Sequence, residues 1–133
     1  TLRRVGVASV MERSLETLPE LADHESINKA LEKEPRWILL TAEQVPASLV
    51  PAADIARYMQ TEDVGETIKL NEIPARRQDV TEIDFQATLQ EALEKLNNSD
   101  AEALYVTRRT IPGISRIYGI ITRNDIDQYY TVQ

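Results

Sequence analysis

The residue types best suited to hold a ligand occur together at one predicted helix start, in the segment Thr122-Arg123-Asn124-Asp125. A helix N-terminus offers free N–H groups and a partial positive charge, which suit a phosphate, and a carboxylate accepts hydrogen bonds from a diol. Arg123 could add positive charge, although a single arginine is more often simply solvated. Thr-x-x-Asp is also a capping box, which stabilises a helix without any ligand. Both interpretations of Thr122 and Asp125 stay open on the sequence alone.

Catalytic chemistry has little support elsewhere in the chain. The 133 residues contain no cysteine, which removes thiolate nucleophiles, thiolate metal sites and disulfides. The single histidine, His24, lies in an acidic stretch. Four scattered glycines form no phosphate-cradling loop, and the pattern Gly-x-Ser-x-Gly is absent. We therefore predict that the chain is not an enzyme, has no metal site and requires no cofactor.

The charge of the chain is acidic and unevenly distributed. A net charge of −7 and a pI of about 4.8 argue against nucleic acid as a partner. Residues 1–66 hold 7 basic and 12 acidic residues, whereas residues 67–133 hold 8 and 10. A small anionic ligand is therefore expected in the second half. Four arginines cluster there, namely Arg108, Arg109, Arg116 and Arg123.

The chain contains an internal repeat. Residues 27–33 (INKALEK) match residues 89–95 (LQEALEK), and residues 54–58 (DIARY) match residues 125–129 (DIDQY). The two matches occur in the same order, and their offset changes only from 62 to 71 residues. Two matched segments in register, with a small insertion between them, indicate a duplicated unit.

Each copy predicts the element order β-α-β-β-α. In the second copy we predict a strand near 80–83 and then a helix from Thr88, with Glu91 as its capping-box partner. Two strands follow at 103–106 and 117–121, joined by a polar connection that turns at Pro112-Gly113, and a helix begins at 122. The predicted elements of the first copy are a helix capped by Ser26, strands at 37–40 and 47–50, and a helix beginning at Pro51. Residues 61–78 read as a charged connector with an extended piece at 67–70. Neither half can cover its sheet alone, so we expect an α/β fold whose two halves pack with pseudo-two-fold symmetry.

The end of the second copy resembles a known family. The segment Tyr118-Gly119-Ile120-Ile121-Thr122-Arg123-Asn124-Asp125-Ile126 resembles the motif that ends a CBS (cystathionine β-synthase) domain, and residues 87–93 resemble that domain's first helix. The resemblance covers two domains, 5–62 and 67–133, as in the tandem pairs called Bateman modules. Such pairs are cytosolic sensors of adenine nucleotides attached to enzymes, transporters and channels.

The resemblance implies a ligand site in the cleft between the repeats. It assigns the hydroxyl of Thr122 to a phosphate of ATP, ADP or AMP and the carboxylate of Asp125 to the ribose. We further predict that Ile83 contacts the base and that Arg123 adds positive charge near the phosphate. In the first copy Pro51 replaces the hydroxyl residue. The second copy is therefore expected to form most of the site.

A narrower resemblance concerns the parent protein. Residues 35–39, 49–54 and 72–77 are similar to the C-terminal cytoplasmic region of bacterial CLC-type chloride channels and antiporters. This resemblance implies a regulatory homodimer on the cytoplasmic side of a membrane, attached to a transport domain of the same parent chain. The isolated fragment is expected to be soluble, because no stretch approaches the roughly 20 apolar residues of a membrane-spanning helix and no signal peptide is visible. The alternative is a structural dimerisation module without a functional ligand site.

Overall fold

The computed structural model describes residues 4–61 and 65–132, which fall into two compact units. One unit is Ser14–Gln78, and the other combines the chain up to Arg13 with the chain from Asp79 onward. In chain order the elements are α1 (Val7–Val10), β1 (Leu15–Pro19), β2 (Leu21–Asp23), α2 (His24–Glu32), β3 (Trp37–Ala42), β4 (Val45–Pro51), α3 (Ala52–Thr61), β5 (Thr67–Lys69), β6 (Gln78–Asp84), α4 (Leu89–Asn97), β7 (Ala103–Ile111), β8 (Ile114–Thr122) and α5 (Arg123–Val132). The domain ranges 5–62 and 67–133 stay a prediction. Residues 62–64 of the predicted connector lie outside the described residues.

The two units share one strand topology. In the Ser14–Gln78 unit β1 pairs with β3 in parallel, and β3 pairs with β4 antiparallel. In the other unit β6, β7 and β8 repeat that arrangement. A helix joins each parallel pair, because parallel neighbours need a crossover connection. The predicted α/β fold with two β-α-β-β-α repeats is confirmed.

The register of the strands fixes which residues of the two repeats are equivalent. Trp37 pairs with Pro51 at the end of the first antiparallel pair, and Ala103 pairs with Thr122 at the end of the second. Pro51 and Thr122 therefore occupy the same structural position, directly before the last helix of each repeat. The 71-residue offset between them is the offset of the repeated 54–58 and 125–129 segments.

Each unit has its own apolar core on the helix side of its strands. In the Ser14–Gln78 unit the central buried residues are Ile27, Ala30, Ile38, Leu40, Val50 and Ile55. In the other unit they are Leu89, Ala92, Leu96, Leu104, Val106, Ile121 and Ile126. The buried positions of α2 and α4 follow the 62-residue offset of the sequence repeat, with Ile27 matching Leu89 and Ala30 matching Ala92. This spacing is one apolar face of an amphipathic helix.

The starts of these two helices differ from each other. Thr88 caps α4 as predicted: its hydroxyl accepts from the N–H of Glu91 at 3.1 Å, and the Glu91 carboxylate accepts from the N–H of Thr88 at 3.1 Å. Ser26 does not cap α2, which begins three residues earlier than predicted. Asp23 is the cap, because its carboxylate accepts from the N–H of Ser26 at 2.6 Å. The charged acceptor takes precedence over the hydroxyl as the N-terminal cap.

The second antiparallel pair is longer than the sequence predicted. The polar connection expected between residues 106 and 117 is strand over most of its length, so that prediction is wrong. Arg108 pairs with Arg116 and Arg109 with Ser115, and the chain reverses at Pro112-Gly113, where Gly113 has a φ of 85°. Beyond the buried core these strands are held by backbone pairing and their side chains are exposed. Hydrophobic periodicity therefore did not predict the extended parts of the strands.

Two smaller elements complete the fold. The extended piece predicted at 67–70 is β5, which pairs antiparallel with β2, a strand that the sequence analysis did not predict. Pro51, predicted to begin α3, instead ends β4, and α3 begins one residue later at Ala52, whose N–H donates to the carbonyl of Arg36 at 3.0 Å. None of the helices within residues 4–61 and 65–132 is long and apolar enough to cross a membrane.

The N-terminal segment packs against the second repeat at Gly119. Glu12 and Ile120 exchange two backbone hydrogen bonds, of 2.8 and 2.9 Å, beside this glycine. A Cβ at position 119 would lie 2.8 Å from Cγ of Met11 and 2.9 Å from the carbonyl oxygen of Glu12. Glycine inside a strand often marks such a close approach, and here the approaching chain is residues 11–12.

We expect Gly119→Ala to destabilise the protein by about 1–3 kcal/mol, because the carbonyl of Glu12 cannot move without breaking its bridge to Ile120. Urea unfolding followed by far-ultraviolet circular dichroism measures this change. Gly65→Ala is the control, since nothing lies within 4 Å of a Cβ at that position. Equal stability of the two variants would show that the strand tolerates a side chain at Gly119.

The Asp23 cap should make stability depend on pH. The N–H of Ser26 donates to this carboxylate and holds its pKa below the ordinary 3.8. A carboxyl with a lowered folded pKa stabilises the fold above its unfolded pKa, and the contribution is lost as the pH falls through the folded value. Asparagine caps a helix without titrating.

We therefore expect the difference in unfolding free energy between the unmodified protein and Asp23→Asn to stay constant near neutral pH. It should turn against the unmodified protein below about pH 4. Urea titrations at a series of pH values measure the difference. Asp100→Asn is the control, because Asp100 is exposed and has no hydrogen-bond partner among the described residues. A difference that does not change with pH would contradict the role of Asp23.

Candidate functional site

The strand-to-helix junction of the second repeat holds Thr122 and Asp125 together. The N–H of Thr122 donates to Oδ2 of Asp125 at 3.0 Å, and the N–H of Asp125 donates to Oγ1 of Thr122 at 3.1 Å. These reciprocal bonds are the capping box that the spacing predicted. The two side chains therefore satisfy backbone donors of the first turn of α5 and are held in fixed positions by them.

The capping box leaves two groups at this junction without a further partner among the described residues, one on Thr122, which is only 4% exposed, and one on the half-buried Asp125. The Thr122 hydroxyl accepts through its oxygen, so its own proton can still be donated. Asp125 uses one carboxylate oxygen, and within residues 4–61 and 65–132 the other, Oδ1, has no hydrogen-bond partner. One fixed donor and one fixed acceptor match a phosphate oxygen and a sugar hydroxyl, respectively.

The backbone N–H groups of the same helix turn are mostly occupied. The N–H of Arg123 donates to the carbonyl of Glu102 at 3.2 Å, and that of Asp125 donates to Thr122. The helix N-terminus therefore offers fewer free donors than the sequence analysis assumed. The side chains, rather than the backbone, have to supply most of the recognition.

Arg123 is engaged next to the junction. Its guanidinium donates to Oδ1 of Asn97, the last residue of α4, at 3.0 Å. The partner is neutral, so the positive charge of Arg123 is not compensated by this contact. Asn97 lies 26 residues away in sequence, and no motif or periodicity connects it with Arg123, so this contact was not predictable from the sequence.

Ile83 is not next to Thr122 and Asp125. Val80, Ala103 and Thr122 are cross-strand neighbours and share one face of their sheet, whereas Ile83 pairs with Val106 three residues further along. Ile83 follows Val80 by three positions, and side chains at an odd offset point to opposite faces of a strand, so Ile83 lies on the other face, about 10 Å further along. There it is 7% exposed and belongs to the core with Leu104 and Ile121.

Ile83 instead borders a cleft elsewhere in its unit. A cleft of about 690 Å³ lies between α4 and the β6 and β7–β8 strands, and its lining includes Ile83, Glu91, Thr107 and Arg109. Thr122, Arg123 and Asp125 are not part of this lining. The predicted site residues thus form one group of three, with Ile83 apart from it.

A hydrogen-bonded pair of one buried and one exposed side chain, Thr107 and Glu82, borders the same cleft. The hydroxyl of Thr107 donates to the carboxylate of Glu82 at 3.0 Å, and Tyr105 is the cross-strand neighbour of Glu82. Burial, and then the negative charge of Glu82, raise the pKa of Tyr105 above its ordinary value of 10.0. Tyr105 therefore stays a protonated hydrogen-bond donor at neutral pH.

The equivalent junction of the first repeat is closed by its own unit. Asp54 is 9% exposed, and both of its carboxylate oxygens are engaged. The N–H of Arg76 donates to Oδ2 at 2.9 Å, and the guanidinium of Arg57 donates to Oδ1 at 3.2 Å. Pro51, at the position of Thr122, contributes no hydroxyl. This junction therefore offers neither of the two free groups of the second repeat.

The connector that closes this junction is itself held in place. The guanidinium of Arg77 donates to the carbonyl of Leu70 at 2.5 Å and more weakly to that of Ile73 at 3.4 Å. These bonds fix the turn that brings the N–H of Arg76 to Asp54. Backbone contacts of this kind have no sequence pattern, so the segment was predicted only as a charged connector.

No family model matches the sequence, and no curated protein matches it. Solved structures do match over nearly the whole chain. A CBS-domain pair with bound AMP from Klebsiella pneumoniae covers 96% of this chain and 99% of its own, with 20% identity and a TM-score of 0.58. The fold is that of a CBS-domain pair.

Two further structures have the same CBS-pair fold. The CBS domain of a candidate transporter from Clostridium difficile covers 98% of this chain and 97% of its own, with 18% identity and a TM-score of 0.62. The CBS domain of a bacterial CNNM/CorC-family Mg²⁺ transporter in complex with ATP covers 98% of this chain and 89% of its own, with 12% identity and a TM-score of 0.60. These likenesses support the CBS-pair resemblance and not the CLC-specific one.

We expect Asp54→Ala to destabilise the protein by about 1–3 kcal/mol, because it leaves the N–H of Arg76 without its acceptor in a mostly buried position. The comparison is Asp125→Ala, whose carboxylate accepts only from Thr122 and is more exposed. The loss of that cap should cost about 1 kcal/mol. Urea unfolding of both variants measures the two costs, and a larger loss for Asp125→Ala would contradict the closed first junction.

Proposed function

We propose that the chain is a regulatory module that binds an adenine nucleotide at the Thr122–Asp125 junction and has no catalytic activity. The observation that carries this proposal is the difference between two equivalent aspartates. Asp125 keeps one carboxylate oxygen without a partner among the described residues, whereas both oxygens of Asp54 are engaged. The CBS-pair fold supports the ligand class, since two solved structures with this fold hold ATP and AMP.

The proposed contacts follow from the groups left free. The hydroxyl of Thr122 donates to a phosphate oxygen, and Oδ1 of Asp125 accepts from the ribose hydroxyls. Both side chains are already oriented by the capping box, so little rotamer freedom is lost on binding. Arg123 contributes positive charge beside them while it donates to Asn97. The contact of Ile83 with the base stays a prediction.

The proposal includes a membrane transport protein as the parent of the module. A transporter CBS domain and a candidate-transporter CBS domain are among the structures with this fold. The CLC-type chloride parent, the homodimer and the cytoplasmic side of the membrane stay predictions from the sequence.

A structural dimerisation module is the second candidate function. The capping box favours it, because the mutual bonds of Thr122 and Asp125 already account for the presence of both residues. The two candidates differ in one measurable property, which is whether a nucleotide binds to the folded protein.

We expect ATP, ADP or AMP to bind and to raise the midpoint of thermal unfolding, because a ligand that binds only the native state stabilises it. The informative variant is Asp125→Asn. Its amide oxygen still caps α5, but the free acceptor becomes an N–H₂ donor that cannot accept from ribose hydroxyls. We expect this variant to weaken nucleotide affinity about ten- to a hundredfold with little change in stability, as measured by titration calorimetry and urea unfolding.

Asp54→Asn is the matched control, since the same substitution at the equivalent position of the first repeat should leave the affinity unchanged. Thr122→Ser, which keeps the hydroxyl, should bind better than Thr122→Val, which removes it. Equal losses of affinity at positions 54 and 125 would contradict the assignment to the second repeat. No nucleotide binding by the unmodified protein would leave the dimerisation module in its place.

A further inference from the structure

The tip of the β7–β8 hairpin extends beyond the core of its unit. Residues 108–116, here called the hairpin arm, are all exposed. The corresponding hairpin of the first repeat is shorter. It contains 15 residues from Trp37 to Pro51, against 20 from Ala103 to Thr122. Because the first repeat folds without these five extra residues, the arm is not required by the architecture of the repeat.

The hairpin arm is strongly basic in an acidic chain. It contains Arg108, Arg109 and Arg116 and no acidic residue, whereas the whole chain has a net charge of −7. Among the described residues none of the three arginines has an ion-pair partner. Arg108 stacks on the ring of Phe85 at 5.2 Å, which holds the cation in place without neutralising it.

The pairing register places two of these charges side by side. Arg108 lies directly opposite Arg116 on the neighbouring strand. Like charges directly opposite each other in a sheet are destabilising. An anion bound between or beside the two guanidinium groups would remove this repulsion, so the arm is arranged to receive negative charge from outside the chain.

The end of the hairpin arm is apolar. Ile111 and Ile114 pair with each other on either side of Pro112-Gly113, and they are 57% and 51% exposed. Three residues along the strand separate Ile111 from Arg108, which is about 10 Å. Segments that lie in a membrane interface bury apolar side chains about 5–10 Å deep, at the boundary between headgroups and acyl chains. Arginines at this spacing would then lie at the level of the phosphates.

We propose that the hairpin arm docks on a phospholipid bilayer surface that carries anionic headgroups. The Ile111–Ile114 pair enters the interface, and the three arginines bind headgroup phosphates and carboxylates. A bilayer fits better than nucleic acid, because the exposed Ile111 and Ile114 can be buried in a membrane interface but would stay in water along a phosphate backbone. A bilayer also fits better than a second copy of the arm, which would bring like charges together. This inference does not depend on nucleotide binding.

The test is co-sedimentation with vesicles, using the unmodified chain. We expect binding to vesicles of phosphatidylcholine and phosphatidylserine in equal parts, weak or no binding to pure phosphatidylcholine, and release in about 0.5 M salt. The combined variant Arg108→Gln, Arg109→Gln and Arg116→Gln should bind at least about tenfold more weakly, since each basic residue near an anionic surface contributes to the attraction. Ile111→Ser with Ile114→Ser should also weaken binding.

The matched control removes three exposed lysines, Lys29, Lys69 and Lys95, by substitution with Gln. It changes the net charge equally and should bind as the unmodified protein does. Circular dichroism and thermal unfolding check that every variant folds, and nucleotide affinity should be the same in the arm variants. Equal binding to neutral vesicles, equal loss in the lysine control, or binding to duplex DNA without binding to vesicles would each overturn the proposal.

Discussion

The need to satisfy the first N–H groups of a helix that follows directly on a strand determines much of the chemistry of this protein. The first four N–H groups of a helix have no acceptor within it. Both repeats meet one part of this need in the same way. The first N–H of the last helix donates to a carbonyl just before the middle strand, from Ala52 to Arg36 and from Arg123 to Glu102. The repeats then differ at the residue before the helix, and that difference decides what the following aspartate does.

Proline and threonine at this position have opposite consequences. Thr122 has an N–H, and Asp125 accepts from it with one oxygen. Pro51 has no N–H, so Asp54 has no such donor at the helix start. Its carboxylate turns instead to the N–H of Arg76 and the guanidinium of Arg57. The first repeat, with proline at this position, thus has a closed structural contact where the second has a free acceptor, and the bond from Arg76 anchors the connector that follows α3.

Local sequence rules predicted the features that depend on a few neighbouring residues. The Thr88–Glu91 and Thr122–Asp125 boxes were predicted by their spacing, and the apolar faces of α2 and α4 by the repeat. The Asp23 cap was missed because Ser26, three residues later, offers a similar signal. The sequence did not predict that Arg76 closes Asp54, that Asn97 binds Arg123, or that Ile83 lies across the sheet from Thr122. Each of these depends on contacts between residues distant in sequence.

The hairpin arm shows why hydrophobic periodicity alone underestimates such a structure. Beyond residue 107 the side chains are exposed, so the pattern of buried residues ends while the backbone ladder continues through Arg108–Arg116 to Ile111–Ile114. Natural sheets use charged side chains to protect exposed edges against pairing with other chains. A mixture of acidic and basic side chains would give this protection without repulsion between like charges. Three arginines with no acidic residue in the arm and no ion-pair partner among the described residues, behind two exposed isoleucines, do not fit protection alone. The β7–β8 hairpin is longer than its equivalent in the first repeat, basic in an acidic chain and apolar at its end. The fold does not require this composition, and contact with an external surface explains it better.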